Sequence, residues 1–250
     1  MKTLLIFFCT SLFLIRVSSQ DIFLLAKEAN RLEMVPDEKA AFTKFKEILK
    51  IQPANINALN KCSELCSRIG KRQLNKKVTN DYYEAAKTYA GISLKLDPNN
   101  AEGNCVMAIA LGRSSLNKGG KEKISTAKEV KKYVDIAIKS DPKNYKAWHV
   151  LGRWNYELSN LNFIERSAAK LLYGSIPLGT ITDAIFAFEK SNTITDGFIL
   201  NYFELARAYK KNDENTKAIN TINKMLLMPN HTEDDAEIKE DGKRLLKNLQ

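Results

Sequence analysis

A short turn recurs three times along the chain. Lys50-Ile51-Gln52-Pro53-Ala54-Asn55, Lys95-Leu96-Asp97-Pro98-Asn99-Asn100 and Lys139-Ser140-Asp141-Pro142-Lys143-Asn144 share one pattern, with prolines 45 and 44 residues apart. Proline presets the turn, while the residue before it and the Asn two places after it are suited to capping free backbone groups. The other prolines, Pro36, Pro177 and Pro229, also stand between periodic segments rather than inside them. Between the turns the apolar spacing is helical: Leu25, Ala29 and Leu32 share one face, as do Ala41, Phe45, Ile48 and Leu49. A chain built this way is expected to stack helix pairs, each too small to bury its apolar face alone.

The landmarks select the kind of pair. A tetratricopeptide unit of 34 residues wants Trp-x2-Leu-Gly-x2-Tyr on its first helix and Ala-x3-Phe followed by Pro on its second. Trp148, Leu151 and Gly152 match the first half; Ala41, Phe45 and Pro53 match the second, as do Ala184 and Phe188 with Asp196 in the proline position. Tyr202, Leu205, Ala206, Tyr209, Ala218 and Ile222 make one uninterrupted unit. The expected fold is all-α: a tetratricopeptide-repeat superhelix of about five helix pairs over 22–50, 55–96, 101–140, 144–194 and 198–228, with a capping helix over 233–249. The longer middle units are expected to carry insertions near Lys71 to Thr79 and Asn117 to Ser125. An extra short helix from Phe163 to Tyr173 is expected to pack near Trp154, with Pro177 and Gly179 resetting the chain afterwards. Trp148 reads as a packing residue of its own repeat.

Residues 1–19 read differently. Met1-Lys2, an apolar run from Thr3 to Ile15 and the small residues before Gln20 have the three-part form of a secretory signal cut after Ser19. Residues 20–250 are expected to be one solenoid domain, and the apolar run is too short for a comfortable membrane span. The full chain carries 39 basic and 29 acidic residues; removing Lys2 and Arg16 leaves +8. Cys62, Cys66 and Cys105 remain, an odd number, and are expected as buried thiols, with a Cys62–Cys105 bridge as the alternative.

Beyond the repeat landmarks, Trp148-His149-Val150-Leu151-Gly152-Arg153-Trp154-x-Tyr156-Glu157, then Glu165-Arg166, Ala168-Ala169, Tyr173-Gly174 and Pro177, resemble the regulator of microtubule dynamics family. Ala110-Leu111-Gly112-Arg113, Lys121-Glu122-Lys123-Ile124 and the stretch from Glu233-Asp234-Asp235 to Leu245-Leu246 are similar to it as well. The resemblance covers essentially all of residues 20–250. It implies an all-helical repeat domain without catalytic residues. Animal members are associated with microtubules and organelle membranes. The leader-like start instead sets up the expectation of an exported, bacterial member, periplasmic or secreted.

The residues themselves offer little catalysis. His149 and His231 belong to no His-Glu-x-x-His motif. Gly119-Gly120-Lys121 lacks the rest of a phosphate loop and reads as a turn. No Gly-x-Ser-x-Gly elbow is present. The Asn230-His231-Thr232 sequon carries no functional weight here. No enzyme, cofactor or metal is therefore expected. Function is expected on the concave surface lined by the first helix of each pair, where the register places Lys61, Arg113, Lys146, His149, Arg153, Arg207 and Lys210. That basic set suits an anionic protein or peptide partner. The carboxylate-clamp pattern of chaperone-binding repeats is not matched, since Asn60, Cys105 and Val106 stand at groove positions. The leading expectation is a non-enzymatic scaffold that binds a peptide or protein in the groove. The alternative is a carrier of a lipid or other apolar ligand, and nucleic acid is the weakest partner class for lack of a recognition motif.

Overall fold

Proline-Asn turns start three of the helices in the same way. In the computed structural model, Asn55, Asn100 and Asn144 each turn a side-chain oxygen back onto the backbone amide three residues ahead, at 2.9, 2.8 and 2.9 Å. The backbone amides of the same three residues donate to the carbonyls of Gln52, Asp97 and Asp141 at 3.0, 3.1 and 3.0 Å. One turn geometry, written three times in sequence, thus satisfies the orphan donors at three helix starts.

The structure describes residues 20–115, 120–162, 165–167, 170 and 179–250. Among them run α1 (20–34), α2 (Glu38–Ile51), α3 (Ile56–Lys71), α4 (Lys76–Leu96), α5 (Ala101–Ser115), α6 (Gly120–Ser140), α7 (Tyr145–Ser159), α8 (Ile181–Ile194), α9 (Ile199–Lys211), α10 (Asn215–Leu226) and α11 (Asp235–Lys247). The described residues contain no strand. Five antiparallel pairs and a last helix follow one another as the repeat spacing predicts. Residues 1–19, read as a secretory signal, and most of the expected helix from Phe163 to Tyr173 lie outside the described residues.

The expected insertion near Lys71 takes another form. Only four residues separate α3 from α4, and α4 and α6 are each 21 residues long against 14 for α2 and α8. The extra length therefore becomes about two additional helical turns in the second helix of a pair.

The landmark residues form the seam between paired helices. Ala41, Phe45, Ala184, Phe188, Ala218 and Ile222 are fully buried, and Tyr202, Leu205, Ala206 and Tyr209 nearly so. Gly152 shows why small residues are needed there: a Cβ at this position would lie 2.5 Å from the Phe188 ring. Trp148 lies half-buried, its Nε1 donating to the Pro142 carbonyl at 2.9 Å and its ring edge-on to Phe186. Trp154 is buried against Ala108, Val130 and Val134, with its Nε1 donating to the Ala127 carbonyl at 2.8 Å. Its described contacts thus fasten α7 to the preceding pair.

The first and last units of the superhelix also touch. Glu38, at the start of α2 and 1% exposed, receives the guanidinium groups of Arg68 and Arg72 from the end of α3. Arg72 continues to Glu233 at 3.1 Å and Asp234 at 3.3 Å, just before α11. Lys71 adds a contact to Asp234 at 3.5 Å. This clasp makes the concave surface the inner wall of a closed turn.

Candidate functional site

Four first helices, α3, α5, α7 and α9, carry the residues expected on the concave surface. Most of the expected positive charges meet carboxylates there. Lys61 pairs with Glu33 of α1 at 2.9 Å. Lys146 sits between Glu64 of α3 and Glu102 of α5, at 2.7 and 2.6 Å, and so ties three successive first helices together. Arg153 reaches Glu157 at 2.8 Å and also holds Glu204 on α9. Arg207 bonds the other oxygen of Glu204 at 2.9 Å and lies over the Tyr156 ring. The expected basic groove is therefore a ladder of ion pairs running across the repeats. Its acidic members, Glu33, Glu64, Glu102, Glu157 and Glu204, are partners that the basic residues alone do not reveal.

Burial sets the character of this ladder. For Glu64, desolvation alone would raise the pKa, but Lys146, Lys61 and Arg68 outweigh it and hold the carboxylate well below its ordinary range. Lys146 is pushed the opposite way: burial opposes its charge, while Glu64 and Glu102 raise its pKa well above the usual value. Both groups stay ionised at neutral pH, as a buried pair must to offset its desolvation.

His149 departs from expectation. It is only 7% exposed, its ring lies between Phe188 and Phe198, and its Nδ1 meets Asn201 Oδ1 at 2.9 Å. Burial pushes its pKa down to about 3, with Arg153 and Arg113 adding to the shift and the Asn201 bond opposing it. The residue is a neutral core histidine rather than a surface contact, because one ring of α7 fits the cage made by α8 and the residue before α9. The Asn201 amide is itself fixed by the Phe188 carbonyl and Asn192.

Two expected residues differ from the others. Arg113, in the last turn of α5, and Lys210, in the last turn of α9, make no ion pair or hydrogen bond among the described residues. Arg113 is half-buried within the closed turn, where Tyr83, Arg153, Glu204 and Asp234 all contribute to its field. Burial is the dominant influence and lowers its pKa. The three cysteines are buried and unpaired. Desolvation raises the Cys62 and Cys66 thiols to about 12 and Cys105 well above its usual value. No group of three or more His, Cys, Asp or Glu side chains is placed to hold a metal among the described residues. No helix among them is long and apolar enough to cross a membrane.

With this geometry in place, comparison with known proteins is decisive for the family. The family described as Regulator of microtubule dynamics protein 1-3 matches residues 25–250. The chain belongs to that family. Human regulator of microtubule dynamics protein 2 is 30% identical over 169 residues, 67% of this chain and 41% of that protein. The nematode Caenorhabditis elegans regulator of microtubule dynamics protein 1 is 28% identical over 185 residues, 74% of this chain and 80% of that protein. The match thus spans less than half the length of the human relative. A thermophilic tetratricopeptide-repeat protein of Thermus thermophilus has a similar solved structure, with a TM-score of 0.62, 14% identity and coverage of 91% of this chain and 98% of that one. That likeness establishes the tetratricopeptide-type all-α fold.

The relatives also correct one expectation. They are animal proteins named for microtubule regulation, so an exported, periplasmic or secreted bacterial location is not retained. That expectation rests on the apolar start of the chain alone.

Proposed function

We propose that this chain is a non-enzymatic interaction scaffold of the regulator of microtubule dynamics family, and that its concave wall engages a protein or peptide partner. The observation that carries this reading is the wall itself. Four successive first helices present charged side chains held by cross-repeat ion pairs, which gives a rigid polar surface without requiring the partner to organise it. Solenoid repeats use extended concave surfaces of this kind for binding. The names of the relatives support a partner connected with microtubule regulation. The wall is ionic rather than apolar, so the carrier of a lipid or other apolar ligand draws less support from it.

Crosslinking mass spectrometry of the full chain with polymerised tubulin and with an extract tests the proposal. Crosslinks from partners should concentrate on α3, α5, α7 and α9. Crosslinks confined to the outer helices α4, α6 and α8 would remove the concave wall from the function.

A further inference from the structure

Among the described residues the charges of the wall are nearly all paired; Arg113 and Lys210 are the exceptions, and Arg113 is the one whose charge burial disfavours. Lys61, Arg68, Arg72, Lys146, Arg153 and Arg207 all have carboxylate partners within ion-pairing distance. Arg113 has none among the described residues and forms no hydrogen bond there. Its neighbour across the turn, Glu204, is shared by Arg153 and Arg207. Asp234 is taken up by Arg72 and Lys71. The acids whose fields reach Arg113 are therefore committed elsewhere. A guanidinium presents five donors in a rigid fork, and removing it from water without a counter-charge is unfavourable.

A second observation concerns the space beside it. Gly112 precedes Arg113 within α5, and a Cβ added there would meet no atom of the described residues within 4 Å. A helical glycine costs about 1 kcal/mol against alanine, and this one is not required by packing, unlike Gly152. Room is left open on the helix turn that carries the unpartnered guanidinium.

We propose that Arg113 is an anion receptor that takes one side-chain carboxylate from an acidic segment of the partner, with Gly112 leaving room for that segment to approach α5. The proposal rests on the reading of the concave wall as the partner surface and names the chemistry that the wall selects. A side-chain carboxylate is the anion that a segment of a protein partner carries, and its two oxygens match the guanidinium fork. Paired with Arg113 in a bidentate arrangement, it would supply the counter-charge that the fold omits. No existing ion pair has to break.

Isothermal titration of the full chain with an octaglutamate peptide, an octaglutamine peptide and inorganic phosphate tests this. Octaglutamate should bind and octaglutamine should not. Arg113→Gln should weaken octaglutamate binding at least tenfold, Arg113→Lys should weaken it less, and Gly112→Leu should weaken it while every charge remains. Lys77→Gln on the outer surface should bind like the parent chain. Arg113→Gln should also melt at the same temperature as the parent or higher, because it removes an uncompensated charge; a purely structural arginine would give a lower melt. Unchanged octaglutamate binding in Arg113→Gln or in Gly112→Leu would overturn the proposal. So would Arg113-dependent binding of phosphate without binding of octaglutamate. If octaglutamate fails while partner crosslinks still fall on α3, α5, α7 and α9, only the carboxylate receptor is lost and the scaffold reading stands.

Discussion

Glu38 and Glu233 each accept a hydrogen bond from the other's backbone amide, at 3.4 and 2.9 Å respectively, across 195 residues of chain. Two carboxylates come together this way only because Arg72 reaches both, at 2.6 and 3.1 Å, and Arg68 holds Glu38 as well. Glu38 is almost wholly buried. Removing a partner from a buried charge is much more damaging than removing an exposed pair, where long side chains stay hydrated.

Arg72→Ala should accordingly destabilise the fold by about 3 kcal/mol. Lys77→Ala breaks an exposed pair with Asp81 on α4 and should cost less than about 1 kcal/mol. Urea denaturation of both variants checks the contrast. Equal midpoints would show that the clasp contributes little.

The Lys146 bridge makes a pH prediction. The Glu64 carboxyl is held below its ordinary value near 4.5 in the folded chain. Its stabilising contribution is then complete above the unfolded value and drains away as pH falls toward the folded one. Lys146→Met should abolish much of that acid dependence, because Glu64 loses its strongest opposing charge. Midpoints of denaturation measured from pH 5 to pH 3 report it, with a flatter slope expected in the variant.

His149 acts in a higher window. Its folded pKa is near 3 and the ordinary value is 6.5, so between these the unfolded chain binds the proton and the folded chain does not. Stability is therefore full above about pH 6.5 and falls as pH drops toward 3. Its ring resonances should not titrate between pH 8 and pH 5. A His149→Gln variant should lose the slope between pH 6.5 and pH 5, a range above the Glu64 window. A titrating His149 ring would contradict the aromatic cage.

Gly152→Ala tests the repeat seam. The added methyl would enter the space of the fully buried Phe188 ring, and overpacking of this kind costs about 1–3 kcal/mol. Calorimetry should show a lower melting temperature, whereas Gly112→Ala, whose methyl meets none of the described residues within 4 Å, should melt at or above the parent temperature.

Local chemistry made much of the fold readable in advance. Asn55, Asn100 and Asn144 each act on amides three residues away, so their caps could be read from spacing alone. The helix register likewise puts Lys61, Arg113, Lys146, Arg153 and Arg207 on the first helices of their pairs, where they lie. Their partners were harder to see: Glu64 and Glu102 lie 82 and 44 residues before Lys146, and no short-range pattern links them. The two additional turns of α4 and α6 look like insertions in the sequence, because the residues that lengthen a helix are polar and resemble those of a loop. The burial of His149 is hidden for a related reason. Its position in α7 allows a groove-facing direction, and only Phe188, Phe198 and Asn201 determine where it is buried.

Contact between α2 and the segment before α11 alters how the chain must assemble. An open stack of repeats can form from sequence-local contacts, each unit settling on its neighbour. The Glu38–Arg72–Glu233 contacts join distant segments, and long-range closure is slow relative to local helix pairing. Folding should therefore end with a ring-closing step, and damage at either terminal unit should be felt at the opposite one.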